Sequence, residues 1–332
     1  MIKIVTYAHK RPDFINYQYR SIKRYLKSEY EFIVFNNAVD DINLYNEIHR
    51  ICSDLNIRCI DIKLSNDLKY IDGETNFENN KYPNANLATS YPIIWSFKNH
   101  FNQNDNNDII CIIDSDMFFI NEIDIENEIK DKDILYIPQY RDFGRVKYIW
   151  NAFVCLNIPR NRNLLNLNWH PGSVNNVACD VGGQTHHDLI KNNYSSRVIE
   201  EYSIRDLSAN DGDILVHYIQ NGNINYNLKI NNDSLIEFKH TGGEKIFENK
   251  SFSHEIDFNN HPGYILYRVK SILDIFDKYE LNLPDPKHIG FIGFPESDKY
   301  FILHYKSGSN YLSFTNDTYN QLKTNEIKKI LD

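Results

Sequence analysis

Apolar residues in the first 120 positions follow two different spacings. Short continuous apolar runs predict strands, whereas apolar residues three and four positions apart predict amphipathic helices. The predicted strands are 2–8, 31–38, 57–64 and 108–120, and the predicted helices between them are 13–27, 43–55 and 86–101. This β-α-β-α-β-α-β order, with two continuously apolar strands, predicts an α/β fold: a mostly parallel central sheet with helices on both faces.

The rhythm loosens in the rest of the chain. Polar residues 65–85 predict a long loop near the ligand-binding edge of the sheet. Strand-like segments follow at 133–140, 148–159, 214–220 and 234–247, then a helix at about 263–280 and strands near 289–294 and 300–305. We predict one domain over 1–283, with halves 1–120 and 121–283, and a small C-terminal α+β appendage at 284–332.

Composition narrows the class of protein. The chain has 332 residues, of which 42% are hydrophobic and 14% aromatic, so it can bury a sizeable core. The 36 basic and 45 acidic residues give a net charge of -9. Without a dense basic run, nucleic acid is not an expected partner. A phosphorylated ligand would need a local positive correction such as a metal ion.

Cysteine usage and the N-terminus bear on location. The cysteines show no metal-ligand spacing, and they are Cys52, Cys59, Cys111, Cys155 and Cys179. They are expected to be reduced thiols. The N-terminus lacks the apolar stretch of a signal peptide, and no run reaches the length of a transmembrane segment. The expectation is a soluble cytoplasmic protein.

The sharpest chemical feature is Asp114-Ser115-Asp116, at the end of an apolar strand and before another apolar run. Asp-x-Asp also occurs at 131–133 and 211–213, in a charged stretch and a glycine turn, where solvated carboxylates are expected. Carboxylates between apolar runs must be neutralised, and oxygen ligands at this spacing suit Mg²⁺ or Mn²⁺. The alternative is that the two aspartates cap the following turn.

On these residues the sequence resembles nucleotide-sugar-dependent glycosyltransferases with the Rossmann-like GT-A fold. In that family a DxD motif after the fourth strand holds a divalent cation against the donor diphosphate. The segment EFKHTGGEKIF at 237–247 resembles the family's late His-x-x-Gly-x-Lys-Pro-Trp segment, with Ile246 and Phe247 in place of Pro-Trp. The resemblance implies metal ligation by Asp114, Asp116 and His240, and a phosphate contact by Lys245.

The same resemblance assigns the two halves. Residues 1–120 would bind the nucleotide sugar and 121–283 the acceptor. The expected nucleoside or donor contacts are Thr6, Tyr7, Arg11, Asn36, Asn37 and Asp114. On the acceptor side Asn151 stands in the key position of a family Asn-x-Gly strand, with Phe153 in place of glycine. A buried strand is the alternative there.

A catalytic base is expected near the Gly182-Gly183 turn, where inverting members carry a carboxylate at a helix start. The candidates are Asp180 and Asp188. Asp180 is preferred because the glycines after it would let an acceptor approach closely. His186 and His187 are interpreted as acceptor contacts or surface residues.

The predicted function is therefore a metal-dependent glycosyltransferase. It would use Mn²⁺ or Mg²⁺ and move a sugar from a nucleoside-diphosphate sugar to a hydroxyl of a glycan or glycoconjugate. Two alternatives stay open at this stage: a haloacid-dehalogenase-type phosphohydrolase and a non-catalytic carbohydrate-binding protein. The donor sugar, the acceptor, the stereochemical course and the oligomeric state are not predicted.

Overall fold

The structure, a computed structural model, describes residues 1–64, 85–102, 107–142, 144–210, 212–221, 224–240, 262–281, 289–297, 299–306 and 317–332. The predicted loop at 65–85 lies outside these residues except for its last position. Within the described ranges the chain forms two compact units, Met1–Val198 and Ile199–Asp332.

The first unit alternates strands and helices up to its fourth strand. Its elements are β1 (Ile2–Ala8), α1 (Asp13–Tyr25), β2 (Tyr30–Asn36), α2 (Ile42–Asp54), β3 (Arg58–Asp61), α3 (Ala85–Ser96), β4 (Ile109–Ile113), β5 (Met117–Phe119), α4 (Ile125–Ile129), β6 (Ile134–Arg141), β7 (Val146–Asn157), β8 (Gly172–Val174), β9 (Val177–Cys179), α5 (Thr185–Asn192) and β10 (Ser196–Val198). A π-helical turn (Phe97–Phe101) continues α3.

The main sheet of this unit has the order β10-β6-β7-β4-β1-β2-β3. Strands β4, β1, β2 and β3 run parallel to one another. Strand β7 is antiparallel to both β4 and β6, whereas β10 is parallel to β6. The predicted α/β fold with a mainly parallel sheet is confirmed. The antiparallel β7 is the departure from it.

Strands β1, β2 and β4 carry apolar residues on both faces because both faces are buried in the core. One face of the sheet packs against α3 and its π-helical turn through a set of buried apolar residues, which include Val5, Ile33, Phe35, Tyr91, Ile93, Phe97, Phe101, Ile110 and Ile112. The intervening residues Ile4, Val34 and Cys111 are also buried. Helix α2 packs on β2 and β3, and α1 packs on α2. Both faces of the sheet are therefore covered.

The second unit is built around an antiparallel sheet. Its elements are β11 (Glu200–Asn210), β12 (Asp213–Gln220), β13 (Ile224–Asn231), β14 (Ser234–His240), α6 (Pro262–Lys278), β15 (Gly290–Gly293), β16 (Tyr300–His304) and α7 (Asp317–Leu331). The strands lie in the order β14-β13-β12-β11-β15-β16. Glu200 pairs with Gly293 and Ser203 with Gly290.

This pairing explains where the observed division of the chain differs from the expected one. The sequence places a boundary at 283/284, whereas the contacts place it between Val198 and Ile199. Strands β15 and β16 belong to the sheet that β11 begins, although about 90 residues separate them along the chain. Among the described residues, no helix is both long enough and apolar enough to cross a membrane.

Candidate active site

The carboxyl ends of the parallel strands bring the predicted donor residues to one edge of the sheet. Val5 of β1 is in register with Ile112 of β4, so Tyr7 stands level with Asp114. Ala8 is in register with Asn36 at the end of β2. Ligands of open α/β sheets bind at this edge. The register therefore places the start of the Asp-x-Asp segment beside the ends of β1 and β2.

Asp114-Ser115-Asp116 forms a tight turn between β4 and β5. The Asp114 amide donates to the Ala152 carbonyl at 2.7 Å, and the Met117 amide donates back to the Asp114 carbonyl at 3.1 Å. The Asp114 Oδ1 atom accepts from the Ser115 amide at 3.0 Å. Asp114 is half-buried, whereas Asp116 is only 3% exposed. The turn is thus fixed by the backbone on both sides.

Two side chains of helix α1 hydrogen-bond the main chain around this turn. These contacts were not predicted from the sequence. The buried Gln18 side chain donates through Nε2 to the Asp114 carbonyl at 2.7 Å and to the Met117 carbonyl at 3.2 Å. Ser21 Oγ accepts from the Phe119 amide at 3.2 Å. The available signal was two polar residues on the apolar face of α1, three positions apart and next to Ile22. Such residues are expected to satisfy buried backbone groups.

The donor set of this turn fits a hard divalent cation. Two carboxylates separated by one residue at the edge of the sheet are the oxygen ligands that Mg²⁺ and Mn²⁺ take in proteins. Among the described residues, no third carboxylate, imidazole or thiol joins them within ligand distance. His240 ends β14, but only its backbone is described. Lys245 lies outside the described residues, so both of these roles stay predictions.

Several residues predicted to contact the nucleoside already bind other groups of the protein. The Tyr7 hydroxyl lies 2.7 Å from Ser96 Oγ, and its ring stacks on Phe35 at 5.4 Å between centroids. Burial raises the pKa of Tyr7 well above its ordinary value. Thr6 is fully buried in β1. The Arg11 guanidinium pairs with Asp13, at 2.9 and 2.6 Å.

The two asparagines after β2 also bind backbone groups. The Asn36 amide donates to the Tyr45 carbonyl at 3.1 Å and accepts from the Ala38 amide at 3.1 Å. Asn37 donates to the Ala88 carbonyl at 2.9 Å. Both side chains therefore shape the loop after β2, and any nucleoside contact by Asn36 would be made in addition to these bonds.

On the acceptor side, the two candidate bases differ in their surroundings. Asp180 is exposed, and its Oδ1 atom accepts from the Val181 amide at 2.8 Å. Asp188 is half-buried on α5, where its Oδ2 atom accepts from the Asn168 amide at 2.8 Å. A carboxylate that must meet an acceptor hydroxyl needs to be reachable. Asp180 meets that requirement, whereas Asp188 ties α5 to a neighbouring loop.

The Gly182-Gly183 turn serves packing within the unit instead of leaving room for an acceptor. Gly182 has a φ of +85°, and a Cβ atom there would lie 2.3 Å from the Ile149 carbonyl oxygen. A Cβ atom at Gly183 would lie 2.4 Å from the Cys179 Cβ atom. The turn is locked onto β7 by Thr185, whose Oγ1 accepts from the Ile149 amide at 2.9 Å.

A polar cluster at the end of β6 lies next to Asp180. It was not predicted from the sequence. The Tyr148 hydroxyl donates to Gln139 Oε1 at 2.5 Å and accepts from the Asp180 amide at 3.4 Å. Arg141 Nη2 donates to the same Gln139 oxygen at 3.3 Å. Burial raises the pKa of Tyr148 to about 12, so the hydroxyl stays protonated. No single-sequence motif joins these residues, since strand pairing between β6 and β7 creates the cluster.

The remaining acceptor-side candidates occupy the same strand and helix. Asn151 is buried, with 6% of its surface exposed, and Phe153 pairs with Ile113 of β4. His186 is buried with its Nδ1 atom 3.0 Å from the Lys147 carbonyl oxygen, whereas His187 is exposed. His186 is therefore held on the β7 backbone.

Fold and site together define an α/β protein with a carboxylate pair at the ligand edge of its sheet. The solved structures that the chain matches include glycosyltransferases. The galactosyltransferase LgtC with donor and acceptor sugar analogues aligns at a TM-score of 0.30 and 12% identity, over 48% of this chain and 59% of that one. The mannosyltransferase Ktr4p from S. cerevisiae in complex with GDP aligns at 0.34 and 8%, over 48% and 57%.

A third match is the glycosyltransferase GlyE from Streptococcus pneumoniae. It aligns at a TM-score of 0.31 and 14% identity, over 59% of this chain and 45% of that chain. In each of the three cases the aligned region covers less than two thirds of the matched protein's own length. No family model matches the sequence, and no curated protein matches it either.

Proposed function

We propose that the chain is a glycosyltransferase that moves a sugar from a nucleoside-diphosphate sugar to a hydroxyl acceptor. The observation that supports this most is the Asp114-Ser115-Asp116 turn. It follows a fully buried parallel strand, lies level with the end of β1 and is fixed by Gln18 and Ala152. A preorganised carboxylate pair at the ligand edge suits a metal-bound diphosphate.

In this proposal Asp114 and Asp116 would hold a divalent cation, Mn²⁺ or Mg²⁺, which when bound would supply Lewis-acid stabilisation of the negative charge on the leaving nucleoside diphosphate. Gln18 keeps both carboxylates in place. The metal-ligand role of His240 and the phosphate contact of Lys245 stay predictions that the family resemblance implies. Tyr7, Arg11 and the loop at Asn36 flank the nucleoside.

Where the reaction inverts the anomeric configuration, Asp180 serves as the base. The acceptor oxygen forms a bond to the anomeric carbon while the bond from that carbon to the phosphate oxygen breaks. The acceptor proton goes to the Asp180 carboxylate, and the bonding pair leaves with the nucleoside diphosphate. The exposed position of Asp180 beside the buried Tyr148 supports this role, because the carboxylate is anchored through its backbone and still reachable.

The haloacid-dehalogenase-type alternative is not favoured by the topology. That class carries its nucleophilic aspartate after the first strand, whereas β1 here ends in Thr6-Tyr7-Ala8 and the aspartate pair follows β4. A sugar-binding role without catalysis would leave the fixed carboxylate pair without a function.

The proposal is tested with a panel of nucleotide sugars, each incubated with the protein and Mn²⁺. Release of nucleoside diphosphate and thermal stabilisation are the two measurements. We expect one donor to be hydrolysed slowly and to raise the Tm only when Mn²⁺ or Mg²⁺ is present. Hydrolysis of simple phosphomonoesters, with no effect from any nucleotide sugar, would contradict the proposal and favour a phosphohydrolase.

A further inference from the structure

A cluster of metal-ligand side chains lies at the far edge of the main sheet, separate from the aspartate pair. The ligand atoms of His49, Cys59 and Asp61 all lie within 4.8 Å of one another. His49 Nε2 is 2.7 Å from Asp61 Oδ1. We propose that this cluster is a transition-metal site that binds Zn²⁺ through the His49 imidazole, the Cys59 thiolate and the Asp61 carboxylate.

The local structure explains why these three side chains converge. Residues 59 and 61 alternate along β3 and therefore project from one face of the strand. The intervening Ile60 packs into the core on the α3 side, so Cys59 and Asp61 face α2. Helix α2 presents His49 on the face that also carries Cys52, three positions further on.

The chemistry of the donor set selects the metal. Thiolate, imidazole and carboxylate together are ligands of Zn²⁺, whereas Mg²⁺ and Ca²⁺ take oxygen. Two of the three ligands carry a negative charge when Cys59 is deprotonated, so the doubly charged ion is neutralised. Bond lengths of about 2.0–2.3 Å in a tetrahedral site place ligand atoms roughly 3.3–3.6 Å apart. The 2.7 Å contact between His49 and Asp61 is shorter than this, and the 4.8 Å limit of the cluster is longer, so ion binding requires the three side chains to adjust toward a common spacing.

Burial and neighbouring groups also suit an ion. The side chains of His49 and Asp61 are 38% and 36% exposed, so a hydrated cation can reach them. Cys52, three positions after His49 on α2, is buried. All five cysteines are free thiols. Tyr45, whose hydroxyl donates to Asp61 Oδ2 at 2.6 Å, orients the carboxylate from the outside, as partners of metal ligands commonly do.

The site is distinct from the proposed donor site. Asp61 is in register with Asn36, which is in register with Ala8 at the end of β1. Three strand spacings, about 14 Å, separate β3 from β4 and its aspartate pair. A bound ion here would staple the edge strand β3 to α2 next to the loop at Asn36. This proposal does not depend on the transferase activity.

The test uses the full chain, stripped with a chelator and kept under reductant. Co²⁺ serves as the probe, because thiolate ligation gives a charge-transfer absorption and a tetrahedral site gives strong visible bands. We expect one thiolate-ligated Co²⁺ per chain, which gives both signatures and is displaced by Zn²⁺; any Co²⁺ at the aspartate pair gives no thiolate band. Cys59→Ser should abolish the charge-transfer band, and His49→Gln and Asp61→Asn should weaken binding at least about ten-fold.

Two variants serve as matched controls. Cys179→Ser removes a thiol elsewhere in the same unit, and Asp114→Asn removes a carboxylate of the proposed donor site; both should keep the cobalt bands. Zn²⁺ should raise the Tm of the wild type but not of Cys59→Ser. The proposal is overturned if the wild type shows no thiolate band, if the band survives in Cys59→Ser, or if Cys179→Ser abolishes it. Because His49→Gln and Asp61→Asn keep the thiol, they decide the outcome even if Cys59→Ser folds poorly.

Discussion

The side-chain amide of Gln18 donates to the main-chain oxygen of Asp114 at 2.7 Å, across 96 positions of sequence. A second bond from the same amide reaches the Met117 carbonyl at 3.2 Å. Helix α1 and the β4–β5 turn are therefore locked together by one buried side chain. The positions of the Asp114 and Asp116 carboxylates therefore depend on a residue whose hydrogen bonds go to main-chain carbonyls.

Replacing Gln18 should disturb the site without removing a ligand. In Gln18→Met the Asp114 and Met117 carbonyls both lose the Gln18 donor, although Asp114 keeps the Met117 amide, and the loss costs about 1–3 kcal/mol of stability. The Mn²⁺ concentration needed for half-maximal activity should rise as well. Denaturant unfolding and a metal titration measure the two effects. Gln184→Met is the matched control, since Gln184 also donates to a carbonyl, that of Ser173, but in an exposed position. Equal effects of both variants would contradict the positioning role.

The carboxylates themselves should be indispensable. Asp116→Ala is expected to abolish transfer and metal-dependent nucleotide binding while the fold persists, because an inner-sphere ligand is lost. Asp114→Ala should be nearly as severe. Calorimetric titration of nucleoside diphosphate with and without Mn²⁺ measures the loss. Asp131→Ala, at the exposed first position of another Asp-x-Asp, should behave as wild type. Wild-type turnover in either site variant would show that the site is misplaced.

The sequence predicted the first half of the chain closely. The predicted helix at 43–55 is observed as Ile42–Asp54, and the predicted strand at 2–8 as Ile2–Ala8. These elements follow from local periodicity, which each segment carries by itself. The predicted strand at 108–120 is instead split into β4 and β5 by the Asp114 turn. Apolar residues on both sides of the turn concealed the break.

The second unit was harder because its determinants are not local. Strand β11 begins with Glu200 and Glu201. Sequence alone predicts that two adjacent charged side chains are exposed to solvent, yet both are buried. Their partners include His304, a hundred residues away. The spacing of apolar and polar residues does not predict buried charged pairs between residues so far apart in the sequence. The Gln18 and Tyr148 contacts escaped prediction for the same reason, since strand order and register bring their partners together.

Gly182 and Gly212 allow the cost of a steric clash to be separated from the cost of a left-handed backbone conformation. Gly182 and Gly212 both have a φ of +85°, but only a Cβ atom at position 182 would meet another atom, the Ile149 oxygen, within 4 Å. Gly212→Ala should cost about 1–2 kcal/mol from the left-handed backbone alone. Gly182→Ala should cost clearly more, because a close contact adds to the same strain. Scanning calorimetry compares the two, and equal losses would contradict the packing argument.

Asp180 and Asp188 can be separated by their charge-removing variants. Asp180→Asn keeps the shape but removes the basicity, so kcat should fall roughly 10²–10⁴-fold with donor affinity nearly unchanged. Asp188→Asn should mainly lower the Tm, because its carboxylate accepts the Asn168 amide. Steady-state kinetics and donor titration distinguish the two effects. A dead Asp188→Asn beside an active Asp180→Asn would move the base onto α5. If neither variant loses activity and the product retains the donor's anomeric configuration, no such base exists.

Two adjacent buried glutamates in the second unit have opposite electrostatic surroundings. Burial raises the pKa of Glu200 to about 7, against hydrogen bonds that include one from Gln220 Nε2 at 2.9 Å. Burial also acts to raise the pKa of Glu201, but the charges of Lys306 and His304 outweigh it and hold that pKa at about 2. His304 Nδ1 lies 2.6 Å from Glu201 Oε1.

These directions predict two separate pH windows for stability. The native form of Glu200 holds its proton up to about pH 7, whereas an ordinary glutamate ionises near 4.5, so its contribution is present below 4.5 and is lost as the pH rises to 7. Glu201 contributes stability above 4.5 that is lost as the pH falls to about 2. Glu200→Gln should make the Tm depend less on pH between pH 4.5 and 7. Glu201→Gln should lower the Tm most above pH 4.5, and its Tm should approach that of the wild type near pH 2. The two variants control for each other, and profiles parallel to wild type in both would refute the assignment.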